Sequence, residues 1–120
     1  METVVVLGAS ANPDRYSFKA IERLRASNHE VIPIHPALEQ IQGIPVTSSL
    51  KKVSGEVDSV TVYINPQRLA GLVDDLVALG PRRVVMNPGA ESAEARSQLE
   101  AAGIEVVEGC TLVMLATGQW

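Results

Sequence analysis

Residues 8–17 read Gly8-Ala9-Ser10-Ala11-Asn12-Pro13-Asp14-Arg15-Tyr16-Ser17, directly after the β-branched run Thr3-Val4-Val5-Val6-Leu7. A glycine at that point lets the chain turn tightly and bring its backbone close to a ligand. The small side chains of Ala9, Ser10 and Ala11 keep the surface open. A helix beginning near Ser17 adds unpaired amides and the positive end of its dipole, which together favour an anion. Ser10, Asn12 and Ser17 supply neutral hydrogen-bonding groups, and Arg15 supplies a charge suited to phosphate. The chemistry is phosphate binding; the plainer alternative is an ordinary strand-to-helix turn capped by Ser17. Pro33-Ile34-His35-Pro36 is a second candidate. Its two prolines stiffen an extended wall on which an adenine face could pack, with His35 in reach of a ribose or a phosphate. In the alternative it is a rigid connection carrying an exposed histidine.

Other chemistry finds less support. A dinucleotide fingerprint needs G-x-G-x-x-G and an acid after the second strand. Here only Gly8 is a glycine in the turn, and Ile34-His35-Pro36 stands where the acid belongs. Glu91, in Asn87-Pro88-Gly89-Ala90-Glu91-Ser92, reads as a carboxylate held at a helix start before it reads as a base. Cys110 lies beside Leu112, Val113 and Met114, which favours a small buried residue over a nucleophile. His29 falls at a helix end and reads as structural. No group of His, Cys, Asp and Glu has metal-ligand spacing, so neither a metal site nor a catalytic residue is expected.

The elements that hold these segments follow from apolar runs and their punctuation. Strands are expected over residues 3–7, 30–34, 57–64, 83–86 and 104–107, with a small segment at 44–46 and a helical turn near Leu50. Ser17 caps a helix to about Ser27, with Ala20, Ile21 and Leu24 on its apolar face. Asn65-Pro66 starts one helix through Leu69, Leu72, Val73, Leu76 and Val77, which Gly80-Pro81 ends. Ser92 caps another helix, stopped by Gly103. Residues 110–117 fit a helical turn or a strand. Strands alternating with helices of 10–15 residues imply parallel βαβ units with right-handed crossovers. The expected fold is a single α/β domain, a doubly wound, mostly parallel five-stranded sheet of Rossmann-like type with helices on both faces. Ligands of such folds lie outside the carboxyl ends of the strands, which points to residues 8–17, 33–36, 64–67 and 87–91.

Composition limits the partners. The chain has 120 residues, 46% hydrophobic and 20% charged, with 10 Lys and Arg against 14 Asp and Glu and a net charge of −4. Nucleic-acid binding leaves a basic face, and no basic run exceeds Lys51-Lys52 or Arg82-Arg83, so no nucleic acid is expected. One cysteine, no leader-like start and no apolar run of spanning length give the expectation of a cytoplasmic protein without a membrane partner. The acidic balance repels a polyanion at long range, so phosphate binding must rest on local amides and Arg15, with Lys19 a further candidate.

Taken in order, these segments resemble a known family, the small single-domain CoA-binding proteins of Rossmann type. They are similar to the N-terminal CoA-binding domain of the succinyl-CoA synthetase α subunit. The resemblance rests on Val5-Val6-Leu7-Gly8-Ala9-Ser10 with Asn12-Pro13, Arg15 and Ser17. It continues through Val31-Ile32-Pro33-Ile34-His35-Pro36, then Ile41, Gly43, Pro45, Val46, Leu50, Val57-Asp58, Gly103-Ile104 and Cys110. It implies a site for coenzyme A or an acyl-CoA. Gly8, Ala9, Ser10, Asn12, Arg15 and Ser17 would face the phosphates, and Ile34, His35 and Pro36 would flank the adenosine. Asn65 and Pro66 would lie near the pantetheine path, and Asn87, Pro88 and Gly89 would close the far side. Many members carry Asp-x-Cys near the C-terminus and Gln-x-Gly after the fourth strand, where this chain has Glu108-Gly109-Cys110 and Asn87-Pro88-Gly89. The synthetase phosphohistidine belongs to a separate domain with no counterpart here, so the expectation is binding without catalysis. An enzyme acting on a thioester through Cys110 or His35, and a module for another nucleotide, are the alternatives. A homodimer or a partner protein is left open.

Overall fold

In the computed structural model, which describes Met1 to Trp120, the apolar runs become strands of one parallel sheet. In chain order the elements begin β1 (Thr3–Leu7), α1 (Tyr16–Ala26), β2 (Glu30–Ile34), β3 (Gln40–Ile41) and β4 (Ile44–Pro45). A 3-10 turn (Leu50–Lys52), β5 (Ser59–Val62), α2 (Pro66–Ala70) and α3 (Val73–Leu79) follow. The chain closes with β6 (Arg83–Met86), α4 (Ala93–Ala101), β7 (Glu105–Glu108) and α5 (Thr111–Ala116).

The five long strands lie in the order β2-β1-β5-β6-β7, all parallel. Successive crossovers therefore run outward in both directions from β1 and β5, and the sheet reverses its winding between them. Leu7 stands opposite both Ile34 and Val62, so the carboxyl ends of β2, β1 and β5 are level. This is the α/β doubly wound sheet expected. Side chains alternate across it. Val4 and Val6 pack with Ile21 and Leu24 of α1, while Val5, Leu7, Val60 and Val62 pack with Leu69, Leu76 and Leu99 of α2, α3 and α4. Leu115 brings α5 to the α1 face.

Several boundaries differ from expectation for identifiable reasons. Ser17 does not cap α1: Arg15 holds the cap position with no side-chain bond, and Ser17 is buried in the first turn. The turn ahead of it closes on itself, because Asn12 accepts from the amides of Asp14 and Arg15. The helix expected to run from Asn65 to Gly80 is two helices, interrupted at Gly71 and Leu72. The strand expected over 57–64 keeps only Ser59–Val62, since Asp58 turns its carboxylate to the Thr3 amide and its carbonyl to Arg82 and Arg83. Residues 110–117 resolve as the helix α5. The 44–46 segment is one arm of a β3–β4 hairpin, whose turn residues Gln42 and Gly43 both have positive φ, 52° and 77°.

The amino ends of the strands are sealed by the C-terminal residue. The Arg83 guanidinium stacks on the Trp120 ring at 4.3 Å, and His29 meets the ring edge-on. Glu2 joins them, accepting from Ser59 Oγ at 2.7 Å and Arg82 at 2.9 Å. No helix is long and apolar enough to cross a membrane.

Candidate functional site

At the carboxyl end of β1 the chain turns through Gly8 with φ +91°. A Cβ there would stand 2.9 Å from Ile64 Cγ2 and 3.2 Å from the Ile64 nitrogen. The glycine is thus required by the close approach of the turns after β1 and β5, where the winding reverses. Beyond it Ser10 Oγ accepts from the Asn12 amide at 3.0 Å, and Asn12 Oδ1 from Asp14 at 3.0 Å. Ser10 and Asn12 therefore shape the turn. Ala9 is buried, its amide donating to the Ile34 carbonyl.

Two clefts adjoin across Gly8 and Tyr63. One, of about 360 Å³, lies between the turn after β2 and the start of α2. Its walls include Ile34, His35 and Pro36 on one side, and Leu50, Ile64 and Leu72 on another. The second, of about 420 Å³, runs along Ser10, Arg15, Tyr16 and Ser17 to Pro88. The sheet thus brings the first turn and the Pro-His-Pro segment to one groove, at the switch point where doubly wound folds bind ligands. His35 is fixed in it: its amide donates to the Thr47 carbonyl, and its Nδ1 accepts from Ala37 and Leu38 at 3.0 and 3.1 Å. The ring therefore presents Nε2 as its free donor.

Arg15 and Arg68 are the only charged residues lining the two clefts. Neither takes part in an ion pair, and no carboxylate lines either cleft. Lys19 lines neither cleft, and its Nζ lies 5.7 Å from the Tyr16 ring centre.

The remaining expected residues divide. Asn65 caps α2, accepting from the Arg68 amide at 2.8 Å, with Pro66 in the first turn. Asn87 is buried in a polar network. Its Nδ2 donates to Thr61 Oγ1 at 2.7 Å and to the Val62 carbonyl at 2.9 Å, and its Oδ1 accepts from the Thr111 amide at 2.9 Å. Its side chain thereby ties β5 and β6 to the start of α5. Pro88 reaches the groove, whereas Gly89 is exposed and gives its amide to Glu91 Oε1 at 2.7 Å. Ser92 caps α4. Cys110 borders an apolar recess beside Tyr16, Tyr63 and Pro88. It follows β7 and His35 follows β2, the two outer strands, so four strand spacings put ~19 Å between the lines of the two strands. The two residues line different cavities, with Tyr63 common to both.

Tyr63 is shared by both clefts and the recess. Its hydroxyl is buried without a hydrogen bond, and burial pushes the phenol up to about 12, against smaller lowering effects of the Thr111 and Thr61 hydroxyls. Ile64 joins the site from the expected 64–67 segment, and Ser48, Ser49, Leu50, Tyr63, Arg68 and Leu72 join it from outside the expected segments. A polar Ser48-Ser49 pair ahead of Leu50, and an arginine in the first turn after Asn65-Pro66, are the signals that were available.

A model of the CoA binding domain family matches residues 2–116. The chain belongs to the CoA binding domain family. Within it, the chain is similar to the uncharacterized protein YneT of Bacillus subtilis (strain 168), 27% identical over 104 residues, covering 87% of this chain and 77% of that one. A crystal structure of an uncharacterized protein is similar over all of this chain and 98% of its own, with 39% identity and a TM-score of 0.95. The fold also recurs in a dinucleotide forming acetyl-coenzyme A synthetase 1 of Ca. Korarchaeum cryptofilum, solved with phosphate and ADP. That likeness has a TM-score of 0.78 and 19% identity, and covers 90% of this chain but 25% of the synthetase. This CoA-binding domain thus corresponds in fold to one portion of a larger enzyme.

Proposed function

We propose that this CoA-binding domain binds coenzyme A or an acyl-CoA without catalysing a reaction on it. The observation that carries the reading is the groove across Gly8, which has an unpaired arginine in each adjoining cleft and no carboxylate lining either. Its residues fit the ligand by chemistry. Arg15 and the uncapped start of α1 suit the pyrophosphate. Ile34, Pro36, Leu50 and Leu72 offer an apolar slot for the adenine, and His35 Nε2 a donor to the ribose. Asn65 and Pro66 then border the pantetheine, and Pro88 closes the far side.

The reading without catalysis draws on His35 and Cys110 lining different cavities, with His35 Nδ1 already accepting from Ala37 and Leu38. The experiment is calorimetric titration of the whole chain with CoA, acetyl-CoA, ATP and NAD. Heat is expected from both CoA species, and its absence from both overturns the reading. Incubation with acetyl-CoA should release no free thiol above the protein-free blank; release would make the domain a thioesterase.

A further inference from the structure

We infer that Arg68 makes the groove selective for a nucleotide carrying a second, separate phosphate monoester, so that coenzyme A binds in preference to its 3′-dephospho form. The inference rests on the CoA-binding reading above and concerns a residue that reading leaves without a task. Gly8 separates two cations that lie on opposite sides of the sheet. Arg15 stands at the start of α1, which covers the Val4 and Val6 face, and Arg68 lies on α2, whose Leu69 packs on the Val5 and Leu7 face. A ligand laid over the carboxyl ends meets one cation on each side. A nucleoside 5′-diphosphate with no other phosphate satisfies one of them.

The surroundings of Arg68 suit a dianionic monoester. It is the sole Arg or Lys of its cleft, which no carboxylate lines and whose other polar side chains are Ser48, Ser49, His35 and Tyr63. Its guanidinium is exposed and makes no ion pair or hydrogen bond, so no protein partner has to be displaced. Its backbone is nevertheless fixed, because its amide is the one that the Asn65 side chain caps at 2.8 Å. A guanidinium held at its root and free at its tip can form the two parallel hydrogen bonds that phosphate accepts. Asn65 thereby acts as a positioning residue for Arg68.

The test is equilibrium binding of CoA and 3′-dephospho-CoA, at one salt concentration, to the whole chain and to Arg68→Gln, Arg68→Lys and Arg15→Gln. The parent chain should favour CoA by about tenfold, ~1.4 kcal/mol. Arg68→Gln should bind CoA about tenfold more weakly and 3′-dephospho-CoA as before, and Arg68→Lys should keep part of the preference. Arg15→Gln should weaken both ligands alike. Equal affinity of the parent chain for the two ligands, or an equal loss of both in Arg68→Gln, overturns the assignment while leaving the CoA reading intact. Binding of neither ligand by the parent chain overturns both. Unchanged thermal midpoints of the Arg68 variants exclude a folding defect.

Discussion

At Gly8 a side chain is forbidden twice, by the left-handed backbone and by Ile64 at 2.9 Å. Gly8→Ala should therefore cost about 2–4 kcal/mol in denaturant unfolding, from backbone strain and overpacking together. Tyr63 makes a prediction in pH. Its phenol titrates near 12 in the folded chain against an ordinary 10.0, so the unfolded chain ionises first as pH rises. The stability it contributes is whole below pH 10 and falls between 10 and 12, by roughly 2–3 kcal/mol in all. Tyr63→Phe should remove that alkaline loss, and because the hydroxyl has no hydrogen bond, it should unfold like the parent at pH 7. The placing of Gly8, Arg15, His35 and Pro36 along the groove was legible in the sequence because each stands just beyond a strand end. Tyr63 and Arg68 were not. They reach the groove only because β5 pairs with β1, a neighbour relation that local pattern does not encode.

The break between α2 and α3 is an element-scale feature that the apolar spacing concealed. Leu69, Leu72, Val73 and Leu76 keep helical period across it, and the backbone leaves the helix at Leu72, with φ −116° and ψ 0°. Gly71 has φ −78° and ψ −6°, and a Cβ there would come no nearer than 3.6 Å to the Arg68 carbonyl. Gly71→Ala should thus raise stability by about 0.4–1 kcal/mol, mostly by restricting the unfolded chain. Ser92→Ala should lower it by about 1 kcal/mol, since Ser92 Oγ accepts from the Ala95 amide at 3.1 Å. Both are read from thermal or denaturant unfolding. Ser92 was recognisable in sequence because it stands alone before its helix. Ser17 had the same appearance, but the Asn12 contacts start α1 one residue before it.

Over the whole molecule, polarity runs along the strands. The carboxyl ends carry the groove and its two unpaired arginines; the amino ends carry Glu2, Arg82, Arg83, His29 and Trp120, mutually engaged. An overall charge of −4 is thus compatible with an anion site, because Arg82 and Arg83 pair with Glu2 at the amino ends while Arg15 and Arg68 stand unpaired beside the groove. Deleting Trp120 should cost about 1–3 kcal/mol through the lost Arg83 and His29 contacts and leave nucleotide affinity unchanged, measured by unfolding and titration side by side. The same seal sets where the chain ends emerge. Met1 is 91% exposed beside the start of β1, and Trp120 lies against the start of β6. Whatever is joined to either end, a bead, a dye or a neighbouring domain, hangs from the base of the molecule, and the protein can be moored there with its mouth facing outward.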